Sequence, residues 1–168
     1  VPNNIRPQTN PENLLLKDFR PKSIYNVPVS KISQGKFPII DAHSHPYANN
    51  QDDLDIWVRN MDEAGITKTI LLTYAHGSEF DSLVNFYSKY PERFELWCGF
   101  DFTDYDKPGY GPAAVEELAR CFKKGAKGVG ELGDKGNGLV YGKPQAIGMH
   151  IDDPRMKPLL DKCAELGM

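Results

Sequence analysis

Short apolar runs alternate with segments of helical period along this chain, and that alternation restricts the folds open to it. FPII (Phe37 to Ile40), KTILLTY (Lys68 to Tyr74), FELWCGFDF (Phe94 to Phe102) and AKGVGELG (Ala126 to Gly133) read as strands. Between and after them, apolar residues recur three and four apart. The first such face is Leu54, Trp57, Val58, Met61 and Ala64, and the second is Phe80, Leu83, Val84 and Tyr87. The third is Val115, Leu118 and Phe122, and the fourth is Met156, Leu159, Leu160, Cys163 and Leu166. Asp52, Ser78 and Asp153 are candidate N-caps, with Pro112 and Pro154 at first helical positions. Gly65, Gly125 and Gly167 are the matching C-terminal stops. Repeated strand–helix units imply a parallel sheet covered by helices, either doubly wound or closed as a barrel. A full (β/α)₈ barrel takes about 250 residues. With 168 residues, this chain stops where a fifth strand would start. The expectation is an α/β fold holding the first four βα units of a TIM-type barrel.

Residues 1–36 carry prolines at 2, 7, 11, 21 and 28 and read as an extended arm, with one helical turn or an apolar anchor at Glu12 to Phe19. Residues 37–168 form the barrel portion. The net charge of −3 supplies no basic patch for nucleic acid. No apolar run approaches the roughly 20 residues of a membrane span. The chain begins at Val1 rather than Met, which together with the proline-rich arm favours an exported, periplasmic-type protein over a cytoplasmic one. Cys98, Cys121 and Cys163 have no metal-ligand spacing and lie in apolar segments, so they read as buried small hydrophobes.

Function in a parallel α/β sheet gathers at the C-terminal ends of the strands. There the first run continues as Asp41, His43 and His45. Alternation along a strand points residues two apart to the same side, so the two imidazoles project together as half of a transition-metal site. At the end of the fourth run, Glu131 adds a carboxylate, and a His–His–Glu set suits Zn²⁺ first, with Mn²⁺ or Fe²⁺ as alternatives. Asp41 shares the histidines' face and is expected to orient an imidazole from behind the ligands. Tyr47, Tyr74, His76, Lys135 and His150 are candidate substrate-pocket residues, and Asp101 lies at the third strand end. Gly128, Gly130 and Gly133 also spell G-x-G-x-x-G. A dinucleotide site requires a helix to begin inside that motif, and the following DKGNGLVYGKP does not begin one.

IIDAHSHPY in the first unit together with GVGELGD in the fourth resembles the metal-dependent amidohydrolase superfamily. The resemblance is closest to the amidohydrolase-related branch, which includes aromatic-acid decarboxylases and lactonases. MDEAGITKTILL and DPRMKPLLDKCAELGM are similar to that family's first and fourth helices, so the resemblance spans residues 37 to 168. It implies a (β/α)₈ barrel in which His43 and His45 bind metal. Glu131 is similar to the glutamate that related metal-dependent deoxyribonucleases use in place of a carboxylated lysine. The family's further histidine ligands and its catalytic aspartate follow strands five, six and eight, so no catalytic residue is assigned within this chain.

The expected activity is hydrolysis of an amide, lactone or ester carbonyl in a small-molecule substrate by metal-activated water. Non-oxidative decarboxylation of an aromatic acid uses the same fold. A third reading is a non-catalytic half-barrel that pairs with itself or with a separate chain supplying the missing half, because exposed sheet edges invite pairing.

Overall fold

The computed structural model describes residues 11–132, 138 and 148–168, divided between two units, Val1–Ile32 and Ser33–Met168. The described part of the first contains two 3₁₀ turns, Pro11–Asn13 and Leu16–Asp18. Its prolines remove backbone donors, and Leu16, Ile24 and Val29 stand open to solvent. Residues Ser33 to Lys36 belong with the second unit rather than with the arm, since the Gly35 N–H donates to the Ala64 carbonyl.

The second unit runs β1 (Ile39–Ser44), α1 (Gln51–Ala64), β2 (Ile66–Leu72), α2 (Gly77–Tyr87), β3 (Phe94–Trp97), α3 (Pro112–Lys124) and α4 (Lys157–Leu166). The three strands form one parallel sheet with β2 at its centre. Thr69 and Leu71 of β2, with Thr73 just beyond its end, are buried on one side of the sheet, continued by Phe94 and Leu96 of β3. Leu54 and Met61 of α1, Phe80 of α2, Leu118 of α3 and Leu159 of α4 complete that core, each at most 1 % exposed. Full burial of one such side chain contributes about 1.5–3 kcal/mol. On the other side of the sheet, Lys68 faces Glu95 across 3.7 Å and Trp97 is half-buried.

Helix ends depart from the sequence expectation in ways the contacts explain. The cap of α1 is Asn50, whose side chain accepts from the Asp53 N–H at 2.9 Å, and Asp52 lies within the first turn, where its charge complements the helix dipole. Helix α2 starts before Ser78 because the Gly77 N–H is met by Glu117 of α3 at 2.7 Å. Asp153 caps a 3₁₀ turn, Pro154–Met156, that leads into α4. On α3, Cys121 occupies the buried face and Phe122 is 37 % exposed. Cys98 and Cys121 are buried and Cys163 half-buried, all as free thiols.

The half-barrel expectation is overturned. Among the described residues the sheet has three strands accompanied by four α-helices, not four βα units. The described part of the fourth run, Ala126 to Leu132, makes a single bridge, Val129 to Cys98, and no strand. Its glycines account for this. A Cβ at Gly128 would lie 2.5 Å from the Trp97 ring and one at Gly130 2.8 Å from Leu72, so the backbone packs close by giving up side chains that a strand would use. The leading run is also not a fully buried strand. As the sheet edge, β1 leaves Ile40 59 % exposed. Among the described residues, no helix is long and apolar enough to cross a membrane.

Candidate metal centre

Three segments that end at the same rim of the sheet supply the centre. The β1–β2 register is irregular between Asp41 and Ser44, and His43 lies within that irregularity. His45 follows directly after β1. Their rings meet edge to face with centroids 5.5 Å apart. Glu131 sits just past the Val129 bridge and brings its carboxylate to the imidazoles. Glu131 Oε2 lies 3.4 Å from His43 Nε2 and 3.7 Å from His45 Nε2. One ligand atom from each of the three residues falls within 4.8 Å of the others. Tetrahedral coordination at zinc's usual bond lengths separates neighbouring ligand atoms by about 3.4 Å. His43, His45 and Glu131 are therefore the residues that could hold a small divalent ion, with their donor atoms drawing somewhat closer around it.

The surroundings fix two of the three residues. His45 Nδ1 lies 2.8 Å from the Leu72 carbonyl oxygen. A carbonyl only accepts, so Nδ1 carries a proton and Nε2 is the nitrogen left to face Glu131. The same ring stacks on Tyr74, with centroids 5.7 Å apart and planes 6° from parallel. Tyr74 in turn donates its hydroxyl to Glu131 Oε2 at 2.7 Å. His43 is the open member, its side chain 60 % exposed against 27 % for His45 and 22 % for Glu131.

Tyr74 has φ +56°, a left-handed conformation rare for a bulky residue. Its N–H donates to the Gly130 carbonyl at 3.2 Å. A Cβ on the buried Gly99 would fall on the Tyr74 carbonyl, so only glycine permits the segment after β3 to approach here.

The other expected residues are placed as follows. Asp41 accepts from the His43 backbone N–H at 3.2 Å, so it fixes the turn of the chain rather than an imidazole. Tyr47 is largely exposed and meets His45 edge-on at 5.9 Å. His76, at the cap position of α2, lies 3.9 Å from Asp101 and forms a second pair at the rim, separate from the three-residue cluster. Asp101 also accepts from the Thr103 N–H at 2.8 Å. His150 is exposed and lies outside the cluster. Lys135 lies outside the described residues. Sequence reasoning missed the Leu72 carbonyl, because a backbone acceptor carries no residue signal. It also treated Tyr74 as pocket lining, although this residue touches two of the three ligands.

Comparison with protein-family models, with curated proteins and with solved structures returns no match.

Proposed function

We propose that this protein is a metal-dependent hydrolase of the amidohydrolase type, acting on an amide, lactone or ester carbonyl of a small molecule. The observation that carries the reading is the convergence of His43, His45 and Glu131 within 4.8 Å. Two imidazoles and one carboxylate form a donor set that zinc takes in catalytic sites, with manganese or iron as alternatives. A divalent ion held there supplies Lewis acidity, polarising a carbonyl and making water nucleophilic near neutral pH.

The chain's own residues supply the geometry. The Leu72 carbonyl keeps the His45 Nε2 lone pair aimed at the centre. Glu131 brings a negative charge, which favours a divalent cation over a neutral guest. His43 and Tyr47 lie on the solvent side, from which a small substrate would reach the three residues. The similarity of IIDAHSHPY and GVGELGD to amidohydrolase sequences supports the hydrolytic reading.

The test is a zinc-loaded screen of amides, lactones, esters and aromatic acids, comparing wild type with Glu131→Ala. Hydrolysis by wild type that is lost in the variant is the expected result. Release of CO₂ from an aromatic acid without hydrolysis would replace this reading with decarboxylation. Equal turnover by both proteins would remove Glu131 from the site.

A further inference from the structure

We infer that Tyr74 is the positioning residue of the centre, presetting both Glu131 and His45 for the metal; this rests on the metal reading above. Three contacts made by one residue point to it. Its hydroxyl donates to Glu131 Oε2 at 2.7 Å, the oxygen that also faces both histidines. Its ring lies flat against the His45 imidazole at 5.7 Å. Its N–H holds the Gly130 carbonyl, one residue before Glu131, at 3.2 Å.

Each contact limits a motion that would scatter the ligands. A carboxylate oxygen offers two lone-pair directions. Oε2 is the oxygen that faces both histidines, so the phenol holds that oxygen in place. The stacked ring limits rotation of His45 about its own bonds, complementing the bond to Leu72. The N–H to Gly130 sets where the backbone delivers Glu131.

The backbone of Tyr74 marks the position independently. A bulky residue at φ +56° is unfavourable by itself and persists only where its surroundings over-determine it. Here the neighbours are bonded on both sides. The Thr73 N–H donates to the Trp97 carbonyl at 3.1 Å, and the Ala75 carbonyl accepts from the Gly99 N–H at 2.7 Å. The left-handed turn between them brings the chain back so that ring, hydroxyl and N–H all serve the centre.

The experiment is a titration with Zn²⁺ alone, followed by the visible spectrum of the Co²⁺-loaded protein. The proteins are wild type, Tyr74→Phe and Tyr74→Gly. Phe keeps the ring and loses the hydroxyl; Gly loses both and takes the left-handed backbone without strain, so it guards against a folding failure of the other variant. The expected result is Zn²⁺ affinity about 10- to 100-fold weaker in Tyr74→Phe, weaker still in Tyr74→Gly, with a shifted Co²⁺ spectrum in both. In a Glu131→Gln background the step from Tyr to Phe should shrink, because the carboxylate it serves has gone. Wild-type binding with unchanged affinity and spectrum in both variants would overturn the role of Tyr74 and leave the metal centre standing. Failure of wild type to bind Zn²⁺ would overturn both.

Discussion

The Nδ1–H of His45 donates to the carbonyl oxygen of Leu72 across 2.8 Å, tying the first residue after β1 to the last residue of β2. This bond and the ligand role of Nε2 can be separated by mutation. The amide nitrogen of Asn takes the place of Nδ1 but offers nothing at Nε2. His45→Asn should therefore lose about 0.5 kcal/mol of stability or less, with Zn²⁺ affinity falling at least about 100-fold. His45→Ala should lose the affinity and about 1 kcal/mol of stability as well. Thermal melts beside Zn²⁺ titrations of the two variants check this, and equal stability in both would show that the Leu72 bond has no structural part.

Gly99, two residues past β3, packs directly against the Tyr74 turn. A methyl group there would overlap the Tyr74 carbonyl, which is backbone and has little room to yield. Gly99→Ala should destabilise the fold by about 1–3 kcal/mol and weaken Zn²⁺ binding as Tyr74 is displaced. Both are read from denaturant unfolding and metal titration. Wild-type values for both would show that the close approach is not required.

A charged cluster away from the histidines and Glu131 contributes to stability against acid. Glu117 receives the Gly77 N–H, the Cys121 thiol and the Arg120 guanidinium, and Arg120 also pairs with Asp81 at 2.7 Å. The Arg120 guanidinium, first among these, holds the Glu117 carboxyl at about 2, against its ordinary 4.5. Because the folded value is depressed, the stabilisation is present above about pH 4.5 and is lost as pH falls toward 2. Allowing for the partial exposure of Arg120, it amounts to roughly 2 kcal/mol. Glu117→Gln should lower stability by about that much at pH 7 and flatten the loss between pH 5 and 2. Denaturant melts across that range measure it, and parallel wild-type and variant curves would contradict it.

How far the residues themselves announce this protein differs from element to element. The helices α1, α3 and α4 are legible because their apolar spacing is regular and Gly65, Gly125 and Gly167 stop them in left-handed conformations. The cap of α2 is not, because Glu117 reaches it from another helix. The fourth strand was misread because Val129 and Glu131 alternate like strand residues, while Gly128 and Gly130 serve close packing against Trp97 and Leu72. With that strand goes the half-barrel, since the count of units rested on it. The convergence of His43, His45 and Glu131 is legible because the two histidines are two apart and Glu131 ends the fourth run. The role of Tyr74 was not, since it depends on a left-handed turn that a tyrosine does not advertise.

Whether His43, His45 and Glu131 form one metal site is read from Zn²⁺ stoichiometry. Wild type and the His43→Ala/Glu131→Ala double variant would be dialysed against the same Zn²⁺ buffer and analysed for elemental zinc, with circular dichroism confirming that both are folded. One zinc per wild-type chain, absent from the folded variant, is the predicted result. Equal zinc in the two proteins, or none in wild type, would contradict it.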